Sequence, residues 1–151
     1  MLDDLDRRLL RRLQTNPAMP VAELCDAVGS TAAVTSRRLA RLRADRIILG
    51  KEAIIDWSKL GYNVEVSLRV GLDKTQSRAF DDFIAAAREV PEVIEIQTFL
   101  GRVDVRLSVI AKDMTQYQQI YRARILTLPH IADIEALMQV ARIKLDEVLP
   151  V

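Results

Sequence analysis

The sequence predicts an α+β chain of two domains, a three-helix unit with a hairpin followed by a βαββαβ sandwich. Three observations predict it. Apolar residues recur at helical spacing over the first 45 residues and at strand alternation afterwards. Residues 1–60 carry 11 Lys+Arg against 8 Asp+Glu, while residues 61–151 carry 11 against 13, so the charge changes sign between the halves. Turn signals punctuate both halves, and the boundary falls at Leu60-Gly61, giving domains 1–60 and 61–151.

In the first domain Leu5, Leu9, Leu10 and Leu13 share a helical face behind Asp3 or Asp4 as a cap, and Asn16-Pro17 ends that helix. Pro20 suits the first turn of a second helix, which carries Val21, Leu24, Cys25 and Val28 as its apolar stripe. Gly29 fits the left-handed position at its end. Thr31 caps a third helix that runs to about Ala44, with Ala32, Leu39 and Leu42 on one side and Thr35 among them. Ile47 to Ile55, broken by Gly50-Lys51, reads as a short hairpin. Three helices and a hairpin are the parts of a winged helix-turn-helix.

The second domain opens with a half-buried strand in which Val64, Val66, Leu68 and Val70 alternate with Asn63, Glu65, Ser67 and Arg69. A helix follows with Phe80, Phe83, Ile84 and Ala87 on its apolar side and Pro91 beyond its end. Two strands, Val93–Leu100 and Val103–Ile110, meet through Gly101-Arg102. Asp113 caps a second helix that buries Tyr117, Ile120, Tyr121 and Ile125 or the stem of Arg124, and Pro129 stops it. A last strand, about Ile134 to Ile143, completes the ferredoxin-like order. Its helices cover one sheet face, so the other is solvated or covered by a partner. Glu65, Arg69, Glu95, Gln97, Arg106 and Ser108 fall on that outer face, a mixed set suited to a two-fold contact.

Composition excludes several function classes. A single Cys (Cys25) and a single His (His130) leave no internal disulfide framework and no Cys/His metal cluster within one chain. Cys25 reads as a small core residue. There is no apolar run of about 20 residues for a membrane span and no apolar signal region at the start, so the expectation is a cytoplasmic protein without cofactor or metal.

The third helix carries the chemistry. From Thr31 to Arg46 there are five Arg and one Asp in a chain of net charge +1. At 100° per residue Ala33, Arg37 and Arg41 lie opposite the core side, with Ser36, Arg38 and Arg43 flanking them. Thr31, Ala32 and Ala33 are small enough to let the helix start approach a groove floor. Donors on the outer face of such a helix read base edges and phosphates of double-stranded DNA. The candidate DNA-binding residues are therefore Thr31, Ala32, Ala33, Ser36, Arg37, Arg38 and Arg41. Arg7, Arg8, Arg11 and Arg12 on the first helix and Lys51 at the hairpin tip add phosphate contacts.

The ordered set Leu2-Asp3, Asp6, Leu9-Leu10, Leu13-Gln14, Glu23-Leu24, Val28-Gly29, Ser36 to Leu39, Arg41-Leu42, Ile47-Ile48 and Gly50 resembles the N-terminal domain of the Lrp/AsnC (feast/famine) transcriptional regulators. The similarity continues through Asp56, Leu60-Gly61, Pro91 to Val93, Gly101 to Asp104, Leu128-Pro129 and Lys144, nearly the whole chain. It implies that the βαββαβ part is of the RAM/AsnC type, forms dimers that often assemble as rings of four, and binds an amino-acid effector. The implied effector residues are Leu100, Gly101, Arg102, Val103 and Asp104, with Asp104 accepting from an α-amino group and Arg102 meeting a carboxylate.

The chain departs from the family pattern at several places. Pro20 stands where a Ser cap is usual, Ser30 replaces a Leu in the turn, and Arg46 stands where a Gly ends the recognition helix. An Arg at that point extends the helix or strains its end, and it adds one more phosphate contact. Leu100 replaces a Thr, Val105 replaces an aromatic residue, and His130 replaces a Gly as a loop residue. Two other functions fit less well. Some sirohaem decarboxylases resemble this family, but a tetrapyrrole enzyme needs more than one His. An architectural DNA-binding protein without any effector needs no pocket.

Overall fold

The computed structural model describes residues 1–145 and 148–151. It divides into two compact units, Met1–Ile54 with Lys144–Val151, and Ile55–Ile143. The predicted boundary at Leu60-Gly61 is therefore moved six residues earlier, and the last eight residues do not belong to the second unit. Their regrouping has a physical cause: the side-chain amide of Gln14 bonds the backbone of Leu149 in both directions, and Arg11 donates to the Val151 carbonyl.

The first unit contains α1 (Asp4–Thr15), α2 (Val21–Val28) and α3 (Ala32–Ala44). Of the two candidate caps Asp3 serves: its carboxylate accepts the Asp6 N–H, and the Asp6 carboxylate accepts the Asp3 N–H, a reciprocal capping box. Pro20 precedes α2 without any side-chain bond, as its chemistry requires. Gly29, at φ +68°, ends α2 with its own N–H bonded to the Asp26 carbonyl and the Ser30 N–H bonded to that of Cys25. The core joins Leu9, Leu24, Val28 and Leu39, and Leu42 and Thr35 are also fully buried. Ala32, expected inside, is exposed, because it lies in the first turn before α3 reaches the core.

The end of α3 resolves the question raised by Arg46. The Arg46 N–H bonds the Arg43 carbonyl and the Ile47 N–H bonds that of Leu42, the paired closure that normally uses Gly at its first position. Arg46 takes that position with φ +56°, so the helix ends on time and the strain stays local. The same bonds remove the predicted hairpin. Ile47 and Ile48 both donate to the Leu42 carbonyl, and residues 49–56 form no strand. Leu49 and Ile54 are exposed, and no second strand pairs with this segment among the described residues. Among the described residues the unit is a helix-turn-helix without a β wing.

The second unit begins with a single turn, Trp57–Leu60, capped by Asp56. It then follows the predicted order: β1 (Val64–Leu72), α4 (Ala79–Arg88), β2 (Val93–Thr98), β3 (Val105–Ala111), α5 (Met114–Ile120) with a wider turn at Tyr121–Ile125, and β4 (Ile131–Met138). The strands form one antiparallel sheet in the order β2-β3-β1-β4. Val66, Leu68 and Val70 face Val109, Leu107 and Val105 across the β1–β3 ladder, and Phe83, Ala87, Tyr117, Ile120 and Ile125 cover them.

Three predicted details change. Strand β4 starts at Ile131, opposite the last residue of β1, Leu72, rather than at Ile134, and its ladder stops at Met138, opposite Val66, rather than at Ile143. The turn between β2 and β3 widens to residues 99–104, since the Asp104 N–H bonds the Val70 carbonyl and the Phe99 N–H bonds that of Asp104. Phe80, placed on the apolar face, is half-exposed, because Ala79, Phe83 and Ala87 make the inner stripe of α4. Arg124 is exposed and pairs with Glu92 at 2.8 Å, leaving Ile125 as the buried residue. On the outer face Arg106 pairs with Glu95 at 2.9 Å and the Ser108 hydroxyl donates to Glu65 at 3.1 Å.

Candidate nucleic-acid interface

Helix α3 presents two different sets of arginines. Thr31, whose hydroxyl accepts the Val34 N–H, starts the helix. Ala33, Ser36 and Arg37 are exposed, and so are Thr31 and Ala32. Among the described residues Arg37 has neither an ion pair nor a side-chain hydrogen bond, so its guanidinium stands free on the outer face. Arg43 and Arg46 are exposed beyond it.

Arg38 and Arg41 are different. The Arg38 guanidinium lies 2.6 Å from the Asp3 carboxylate and 3.4 Å from that of Asp6, and Arg41 donates to Asp6 as well. Asp6 is 0% exposed. The geometry follows from helical angles. Arg38 sits near the edge of the α3 core stripe and Arg41 about 60° further round, and both long chains reach toward the start of α1. Arg41 lies outward, as the sequence predicts, with its side chain 43% exposed, and its guanidinium is also paired with Asp6 of α1. Electrostatics agree. The Asp6 N–H, with the Arg38 guanidinium behind it, holds the Asp3 carboxyl below its usual value, and the bond to Asp3 raises Arg38.

Sequence reasoning missed Asp6 as a partner. The available signal was an acid on the inner stripe of α1 beside Leu9, where a charge persists only if it is paired.

In the second unit the predicted effector loop lies at the β2–β3 turn. Leu100 and Arg102 are exposed, Val103 is half-buried, and Gly101 has φ +146°, a conformation that side chains rarely adopt. Asp104, expected to stand open to an amino group, instead accepts the Leu72 N–H at 2.8 Å and lies 3.6 Å from the Lys74 ammonium. It anchors the loop to the end of β1. His130, at φ +64°, is the loop residue expected, with Nε2 3.1 Å from an Asp82 carboxylate oxygen. No group of three or more His, Cys, Asp or Glu side chains able to hold a metal ion occurs among the described residues.

A free arginine on an exposed third helix, above a tri-helical core, defines a DNA-binding helix-turn-helix protein, here joined to a ferredoxin-like domain. The sequence comparisons sharpen this class. Residues 2–43 match the AsnC-type helix-turn-helix domain and residues 65–149 match the Lrp/AsnC ligand binding domain. The chain belongs to the Lrp/AsnC family of transcriptional regulators. It is 29% identical over 151 residues to the DNA-binding transcriptional activator DecR of Escherichia coli, covering 100% of this chain and 99% of that one. It is 31% identical to the HTH-type transcriptional regulator Zrp of Zymomonas mobilis, covering 99% and 97%. Among solved structures, the transcriptional regulator NMB0573 of Neisseria meningitidis in complex with L-Met superimposes with a TM-score of 0.92 at 25% identity, over 99% of this chain and 97% of that one. An AsnC family regulator from Agrobacterium tumefaciens reaches 0.88 at 29% identity, with the same coverage. No described helix is long and apolar enough to cross a membrane.

Proposed function

We propose that this regulator acts in the cytoplasm as a dimer, assembling further to four dimers, and reads a pseudo-palindromic site with half-sites about one helical turn apart. Thr31, Ala32, Ala33, Ser36 and Arg37 face the major groove, and Arg38 and Arg41 complete the basic helix. The observation that carries the reading is the free, exposed Arg37 on a third helix whose opposite side is buried by Thr35, Leu39 and Leu42. An amino acid is the effector, as the L-Met complex of the Neisseria relative suggests, and Leu100 to Asp104 hold it, with Arg102 free to meet its carboxylate.

A second reading, DNA binding without an effector, is favoured by Asp104, whose carboxylate is already engaged by Leu72 and Lys74. Two measurements test the proposal. Titration of duplex DNA at increasing salt should show binding that weakens steeply as salt rises, and binding absent even at low ionic strength would end the DNA reading. Calorimetry against a panel of amino acids, with mass measured in solution, should show heat and a change of assembly. A flat response to all of them would leave the effector-free reading.

A further inference from the structure

We propose that Asp6 is a positioning residue for DNA recognition: its buried carboxylate holds Arg38 and Arg41 as struts between α1 and α3, so these two arginines aim the recognition helix instead of binding phosphate. The proposal rests on the DNA-binding reading above.

The argument begins with the acceptor. Asp6 is 0% exposed and carries a charge that burial penalises strongly unless it is paired. Its carboxylate receives three donors, the Asp3 N–H at 3.1 Å, Arg38 at 3.4 Å, and Arg41. Arg38 is also fixed by Asp3 at 2.6 Å. Two acids and two arginines cancel, so half of the net positive charge counted over Thr31 to Arg46 is neutralised on the spot. Turning Arg41 toward a DNA phosphate would strip a buried carboxylate of a partner in exchange for a contact at a wet, salt-screened surface. The exchange is unfavourable.

What the struts add is direction. The core under α3 is made of Leu39, Leu42 and Thr35, and the Thr35 hydroxyl has no partner among the described residues. Apolar contact opposes separation of the helices but specifies rotation weakly, whereas a charge-assisted hydrogen bond is directional. Arg38 and Arg41, one turn apart, therefore fix the roll of α3 about its axis, and that roll decides where Ala33, Ser36 and Arg37 point. A helix free to roll by a few tens of degrees would still attract DNA but would read bases less well.

The experiment measures, for the full chain, the affinity for a duplex selected from random sequence and for a scrambled duplex, each across a salt series. Arg37→Ala should lower the ratio of selected to scrambled affinity about tenfold or more, as loss of a base contact does. Arg38→Ala and Arg41→Ala should leave the slope of log K against log salt unchanged and reduce that ratio. Asp6→Asn should lower the same ratio while steepening the slope, because the Arg41 guanidinium is released while Arg38 keeps its bond to Asp3. Arg38→Lys and Arg41→Lys keep the charge but lose the forked geometry; they should reduce the ratio less than the alanine variants, and they serve if an alanine variant fails to fold. The proposal is overturned if Arg38→Ala or Arg41→Ala lowers the slope by about one with the ratio intact. It is equally overturned by a wild-type ratio in Asp6→Asn. If Arg37→Ala leaves the ratio unchanged, the assignment of the DNA face itself fails.

Discussion

Arg46→Gly should stabilise the helix-turn-helix unit. Arg46 closes α3 at φ +56°, and its N–H and that of Ile47 make the two bonds that finish the helix. A side chain in the left-handed region costs about 1–2 kcal/mol, which glycine removes. Glycine also brings more freedom to the unfolded chain, worth about 0.4–1 kcal/mol against folding. The difference is a net gain of about 0.5–1 kcal/mol. Amide hydrogen exchange in peptides from α1 to α3 reads this unit by itself, and protection should rise about 2- to 5-fold. The mirror change, Gly29→Ala, should lower protection by a similar factor, because Gly29 has φ +68° and its added methyl meets only open space, leaving backbone strain offset only by the lost freedom of the unfolded chain. Unchanged or faster exchange in Arg46→Gly would refute the reasoning. The same variant carries a second readout: if Arg46 touches a phosphate, the salt slope of DNA binding falls by about 0.9.

Further consequences concern both units. Phe83→Ala, which empties the fully buried centre of the second unit, should destabilise it by about 3–5 kcal/mol in a denaturant titration followed through Trp57 fluorescence, and a loss below 1 kcal/mol would contradict the packing. Asp3 has a depressed pKa, so its contribution is fully present above its usual value near 3.8 and is lost as pH falls through the lower folded value. Exchange protection of α1 should therefore fall below about pH 4 in the parent, and Asp3→Asn should flatten that fall. Asp104→Ala leaves the Leu72 N–H without its acceptor, at a cost of about 1–3 kcal/mol, and should loosen residues 99–104 in hydrogen exchange; an unaltered loop would show that Asp104 does not anchor it. Gln14→Ala removes both bonds to Leu149, so limited proteolysis should cut residues 148–151 faster than in the parent.

Most of the architecture was legible because it is local. The Asp3 cap, Gly29, the Val66-Leu68-Val70 alternation and Pro91 each act within a few residues of their own position. What the sequence did not disclose depends on distant partners. The start of β4 at Ile131 coincides with the end of β1 at Leu72, which no residue of β4 encodes. Ile47 to Ile55 has the composition of a hairpin, yet its first amides are taken by the Leu42 carbonyl. At the site, helical angles correctly separated Arg37 from Leu39 and Leu42. They could not show that Arg38 and Arg41 meet Asp6, more than thirty positions away along the chain. Asp104 likewise looked available for a ligand until its bond to Leu72 was seen.

Chemical protection of bound DNA tests the central claim most directly. With α3 in the major groove of each half-site, the full chain should shield guanine N7, which opens only to that groove, in two patches about 10 base pairs apart. Arg37→Ala should weaken that shielding. Bound DNA whose major-groove guanines stay fully reactive, with protection confined to the minor groove, would contradict the account.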